Sequence, residues 1–240
     1  MSGGDIIQKL RILLKINFRL ALMKPLLLSV GYLLILPMIH GISNLETKYV
    51  AELLEKFVSI IGIIVIVPLC SPELNSKSIK ESVLGRTCSY GKIIATRLCM
   101  AAISLCFLIT MFAVTLKILH CKFPLGIYIV GTVITAETIG IVGFLVSLFS
   151  NNLILGYIFS IGYVFLCWTG IINEEFPGYL FTMGRNYLQQ KGILVLIMIF
   201  CIVCSSILLH QKSTNYEIFR ISYILNLERI KPPKMVYTKN

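Results

Sequence analysis

Few residues in this 240-residue chain have the types and spacing that chemistry requires, and each argues against a soluble enzyme. Gly85 and the pair Gly91-Lys92 suggest a phosphate-cradling loop inside the polar stretch 71–98. Such a loop needs G-x-x-x-x-G-K-[ST]: the four-residue spacer curves the backbone amides around phosphate, and the final hydroxyl holds magnesium. Here five residues intervene and Ile93 follows Lys92. An apolar run follows and no strand precedes, so no nucleotide site is expected. Cys201 and Cys204 have C-x-x-C spacing but neither the βαβ context of a redox motif nor the polar flanks of a zinc site. With Cys70, Cys99, Cys106 and Cys167 they lie in or beside apolar runs, where cysteine acts as a small hydrophobe. His40, His120 and His210 sit near the ends of such runs and never pair at i, i+4, so no metal ligands are expected.

Glu137, in "GTVITAETIGIVG", is the one ionisable residue deep in an apolar run. A carboxyl at mid-bilayer costs about 2.5–3.5 kcal/mol even on the permissive insertion scale, so it should face the bundle or an aqueous cavity and have a partner. Thr135, Thr138, Gly131, Gly140 and Gly143 on the same run permit close helix approach. Three roles stay open for Glu137: a protonated structural hydrogen bond, a substrate-lining or gating group, and a proton relay.

Composition sets the scaffold that holds these residues. Hydrophobic residues make up 57% of the chain and charged residues 14%, and the mean hydropathy is +0.86. A soluble domain is roughly 45–50% apolar and 25% charged, so an all-α integral membrane protein is expected. Apolar runs predict six transmembrane helices at 25–41, 57–72, 93–117, 124–149, 153–171 and 191–209. Pro25, Gly31, Pro37 and Pro68 interrupt the first two, which predicts kinks or tilt there. With both termini cytoplasmic, sixteen of the Lys and Arg residues lie inside and six outside, namely Lys48, Lys56, Lys117, Lys122, Arg185 and Lys191. The positive-inside bias therefore orients the chain N-in, C-in. A net charge of +11 needs no nucleic acid to explain it, since an anionic leaflet of membrane lipids accounts for it.

Residues 1–24 read as an interfacial amphipathic helix. Gln8, Arg11, Lys15 and Arg19 share one face, while Ile6, Leu10, Leu13, Leu14 and Phe18 sit around the other. Residues 25–210 form the six-span domain, with a coupling loop at 71–92 and an extracellular segment at 172–190. Within the loop, "NSKSIKESVLG" predicts a short cytoplasmic helix: Ser78 with Glu81 fits a capping box and Gly85 can close it. Ile79, Val83 and Leu84 form an apolar strip among charges, suited to docking a soluble partner. In the extracellular segment, Phe176, Tyr179, Phe181 and Tyr187 read as interface aromatics. Residues 211–240 form a basic cytoplasmic tail, with Tyr216, Phe219, Tyr223, Leu227 and Ile230 at helical spacing.

This layout resembles the permease subunit of type-2 ABC exporters, in the small six-span bacterial form. The resemblance rests on the interfacial helix, the six spans, and a first cytoplasmic loop in which Glu73, Gly85, Ser89-Tyr90 and Lys92 occupy places comparable to the family's. The proline usual in the family's turn is absent, and Cys88 stands nearby. The polar turn in "LFSNNLILG" resembles the family's tight link between the fourth and fifth spans. The resemblance implies a plasma-membrane permease that forms a substrate pathway and is itself no enzyme. A separate ABC ATPase subunit would bind ATP and magnesium and press on Glu73, Ile79, Glu81, Val83, Leu84 and Gly85. It also implies a second permease copy or a homologous permease, an exit closed by the segment 172–190, and a peptide or drug as cargo, with self-protection against an antimicrobial peptide among the roles. The alternative is an ion- or proton-coupled secondary transporter using Glu137. Such folds show paired broken helices in two halves, and no internal repeat is evident. An intramembrane enzyme is not expected, because the chain has no H-E-x-x-H, no G-x-S-x-G and no pair of membrane aspartates.

Overall fold

The structure is a computed structural model that describes residues 14–71, 90–173, 175–183 and 187–229, with Gln8 and Arg11 before them. For residues 212–229 the backbone alone is described. The described residues are helical with no strand, and four helices are long and apolar enough to cross a membrane: Leu14–His40, Gly91–Ile118, Leu125–Ser150 and Gln189–Gln211. These mark the chain as a membrane protein.

Helix α1 spans Leu14–His40 and includes a π-helical turn at Phe18–Leu22, just before Pro25. The described part of the predicted amphipathic segment thus runs without a break into the first long helix. Pro37 lies in the last turn, where one lost intrahelical bond matters least, and Gly41 closes the helix at φ 59°, a conformation that disfavours a side chain. The second helical element, α2, covers 47–70 in five pieces. An α-helix at Thr47–Glu52 widens into a π-helical turn at Leu53–Phe57 and tightens at Val58–Ile60. It returns to α geometry at Ile61–Ile66 and tightens again at Val67–Cys70, which contains Pro68.

Helices α3 (Tyr90–Ile118), α4 (Leu125–Ser150) and α5 (Leu153–Trp168) follow, and α6 (Tyr187–Arg229) closes the chain. At 43 residues, α6 is about 64 Å long, well beyond the roughly 30 Å of a hydrocarbon core. Only two residues separate α4 from α5: Asn151 takes the left-handed conformation at φ 50°, and the Asn152 side chain accepts a hydrogen bond from the Ile154 N–H at 2.9 Å. The links between α1 and α2 and between α3 and α4 lie together, since Asn44 N–H donates to Leu119 O at 3.2 Å and Thr47 Oγ1 to Lys122 O at 2.8 Å. We call this the loop end; the α4–α5 link and Ser71 lie at the opposite end.

Helix α4 is the centre, packed against α2, α3, α5 and α6, and more than half of its apolar window is buried. Small residues permit this. A Cβ on Gly62 would collide with the Ala136 backbone oxygen, and one on Gly156 with the Ser147 hydroxyl, so α2 and α5 approach α4 almost backbone to backbone. Hydroxyls fill what glycine leaves: Ser160 Oγ crosses from α5 to donate to Ile139 O at 3.2 Å, and Ser147 Oγ donates to Gly143 O at 2.9 Å. The outward surfaces of α1, α3 and α6 are apolar, with Leu34, Ile103 and Leu196 exposed, as surfaces that meet lipid require.

Candidate functional site

The wide turn in α2 decides where the site forms. Leu53, Leu54 and Glu55 are buried in succession, which places a carboxylate on the inner face of an otherwise apolar element. Lys191, near the start of α6, meets it: Nζ lies 2.7 Å from Glu55 Oε1, with side chains 3% and 4% exposed. Lys191 also donates to Thr135 Oγ1 of α4 at 2.6 Å and to the Leu180 carbonyl at 3.0 Å. The three protons of the ammonium thus have three acceptors.

The carboxylate is occupied as thoroughly. Glu55 Oε1 accepts the Thr182 N–H at 3.2 Å and Oε2 accepts the Met183 N–H at 2.9 Å. These amides belong to the segment after α5, which turns through Gly170 (φ 75°) and Gly178 (φ 115°) and comes back over the helix ends. Backbone in such a segment has no ladder or helix to satisfy it, so it needs side-chain acceptors when buried. Glu55 supplies two of them, and the Tyr163 hydroxyl of α5 donates to the Gly178 carbonyl. One ion pair therefore ties α2, α4, α6 and the returning segment into a single unit. Beside it lies a cavity of about 1150 Å³ whose wall includes Glu55, Thr182, Tyr179 and Phe181, and whose exposed rim includes Lys48, Glu52 and Glu175. The Thr182 hydroxyl is buried and has no hydrogen-bond partner among the described residues.

The predicted aromatics divide at this site. Phe181 is buried, Tyr179 packs edge-on against it with ring centroids 5.9 Å apart, and the Tyr187 hydroxyl donates to Ile127 O at 2.7 Å. Burial, and after it the negative charge of Glu55, pushes the Tyr187 phenol above its ordinary range, so it remains a proton donor at neutral pH. Phe176 stays exposed. Glu137 is partly buried on α4 and has no hydrogen-bond or ion-pair partner among the described residues, where the sequence had led us to expect one. The predicted coupling residues Glu73, Ile79, Glu81, Val83, Leu84 and Gly85 lie outside the described residues. Among the described residues no group of histidine, cysteine and carboxylate side chains could hold a metal ion.

A second polar knot lies at the opposite end. Arg97 of α3 is 1% exposed; its Nε donates to Asn17 Oδ1 at 2.8 Å and its Nη1 to the Leu69 carbonyl at 3.1 Å. The sequence reading counted Arg97 only among the sixteen cytoplasmic basic residues and passed over Glu55 altogether. The available signal was an acid and a base at the near ends of two predicted spans on the same side of the bilayer, Glu55 two residues before the second and Lys191 opening the sixth. Compared with protein-family models, with curated proteins and with solved structures, the chain matches none.

Proposed function

We propose that the chain is the transmembrane permease subunit of an ATP-driven ABC exporter. The observation that carries the reading is the returning segment clamped by Glu55 and Lys191, which closes one end of the bundle above a sizeable cavity. In this reading six segments span the bilayer, with α2 and α5 as the short ones, and the loop end faces outside because the opposite end carries the excess of lysine and arginine. The clamped segment is the exit gate. At the cytoplasmic end, Arg97 of α3, the helix that leaves the coupling loop, joins it to α1 and to the last turn of α2, the helix that enters the loop. Push on that loop reaches the gate through the close α2–α4 contact at Gly62. The ATPase, its ATP and magnesium, and a second permease belong to partner chains.

Co-purification tests this directly. The full-length chain, expressed with candidate ABC ATPases in detergent, is expected to retain one of them, and Ile79/Val83/Leu84→Ala is expected to release it. Labelled ATP should not bind the lone chain. Specific ATP binding by the lone chain, or a complex undiminished by the triple change, overturns the reading. Glu137 favours a second reading: a partly buried carboxyl without a partner among the described residues suits an ion- or proton-coupled transporter. In that case transport would follow an imposed proton gradient and proceed without any ATPase.

A further inference from the structure

We infer that the cavity at the loop end is a binding site for the free amino end of a peptide, anchored by Glu55 and Thr182; the assignment of that peptide as cargo rests on the exporter reading. Counting donors and acceptors sets the polarity of the ligand. Lys191 has no proton left to offer, since Glu55, Thr135 and Leu180 take all three. The N–H groups of Thr182 and Met183 are both engaged by Glu55. What remains on this wall is acceptor capacity. A carboxylate offers about four lone-pair sites, and those of Glu55 receive Lys191, Thr182 and Met183, which leaves an open position on Oε2.

Beside it, Thr182 is 4% exposed and lines the cavity, yet its hydroxyl has no partner among the described residues. A buried polar atom in this state is a standing cost that a suitable ligand would relieve. A protonated amine brings three donors and can serve the open position on Glu55 and a lone pair of the Thr182 hydroxyl at once, whereas an anion could use only that hydroxyl's proton. A phosphate or carboxylate would bring more acceptors to a wall that already has acceptors to spare.

The rest of the lining indicates what the amine is attached to. Tyr179 and Phe181 offer apolar faces, and the side-chain amides of Gln189 and Gln190 each combine donor and acceptor, as main-chain amides do. The rim carries Lys48, Glu175 and the ion pair of Glu52 with Lys56, two charges of each sign, which suits a chain of mixed character better than a simple ion. The volume of about 1150 Å³ lies above the roughly 300–1,000 Å³ of ordinary small-molecule pockets. A short peptide entering amino end first satisfies each of these features.

The test offers the immobilised full-length chain in detergent two random hexapeptide libraries without lysine, one with free amino ends and one N-acetylated, both amidated at the carboxyl end. Retained peptides are counted by mass spectrometry. The free-amino library is expected to be retained at least about tenfold over the acetylated one, the worth of a charge-assisted hydrogen bond. Thr182→Val keeps the shape and removes the hydroxyl, and is expected to lower that retention about tenfold, while Thr182→Ser restores it. If Thr182→Val does not fold, competition on the unaltered chain decides: n-hexylamine should displace the library and n-hexanol should not. Equal retention of the two libraries, retention of neither, or equal competition by the alcohol overturns the inference. The ATPase pull-down is a separate readout, so a chain that binds its ATPase but shows no amine preference keeps the exporter reading and loses this one.

Discussion

Lys191 at the loop end and Arg97 at the opposite end are both buried, 3% and 1% exposed, yet they hold different things together. Lys191 joins a carboxylate to an irregular segment, and that carboxylate satisfies two amides for which no helix provides acceptors. Arg97 joins helices to one another: its guanidinium reaches the Asn17 side chain on α1 and the Leu69 carbonyl in the last turn of α2, where helix carbonyls lack intrahelical donors. A buried cation in this bundle goes where backbone is left over, and its partners follow from the kind of backbone. A returning loop presents free N–H groups and needs an acid, which then needs a base. A helix end presents free C=O groups and needs only the base.

The largest expected effect comes from separating the loop-end pair. Lys191→Met leaves Glu55 buried without its base, and breaking a buried pair in this way costs about 3–5 kcal/mol. Thermal unfolding in detergent should show this as a large drop in midpoint or as failure to accumulate folded protein. Adding Glu55→Gln to Lys191→Met should return part of the loss, because the glutamine oxygen still accepts from the Thr182 or Met183 amide and no charge is stranded. A double variant as unstable as the sum of the two single ones would show that the pair is not coupled, and the contrast between the two ends would fail.

The contrast also explains how much of the molecule was legible in the sequence. Composition sufficed for an all-helical membrane protein because it reports the solvent, and the α4–α5 link was legible because Asn151 and Asn152 are short polar residues that tolerate or cap such turns. The broken course of α2 was hidden: the run around Ile61–Ile66 is apolar throughout, and before Pro68 nothing in it marks where π-helical and tight turns replace α-helix. The site itself was hidden for a topological reason. Glu55 and Lys191 are 136 positions apart, and each alone reads as an ordinary charge beside a span. Of the four aromatics read as exit or interface residues, Tyr179 and Phe181 line the cavity, the Tyr187 hydroxyl donates to Ile127 O and Phe176 stays exposed.

At the opposite end the expected effect is smaller and local. Arg97→Gln keeps a donor and removes the charge, and hydrogen bonds made by charged groups contribute about 1.5–3 kcal/mol. Because Arg97 ties α1 to α2 and α3 on either side of residues 72–89, the change should speed tryptic cleavage within that stretch. It should leave the loop end intact, read as the same further drop in thermal midpoint when Lys191→Met is added to Arg97→Gln as when it is made alone. If the two changes are not additive, the two ends form one cooperative unit rather than two independent fastenings.

Glu137 provides the smallest expected effect and the sharpest control, since it is a membrane carboxyl to which neither pattern applies. It satisfies no freed backbone and has no base among the described residues. Glu137→Gln should therefore change stability by no more than about 0.5 kcal/mol, the range of substitutions that break no specific contact. Glu137→Leu should be equally harmless to folding of the single chain, in contrast to Lys191→Met. Transport is the separate readout: loss of transport by Glu137→Gln at normal expression assigns the carboxyl to the pathway, and retained transport assigns it to neither pathway nor proton relay. Should Glu137→Gln destabilise the purified protein as much as Lys191→Met does, the carboxyl has a partner supplied from another chain, and the distinction between a partnered acid at the loop end and an unpartnered one at mid-span no longer holds.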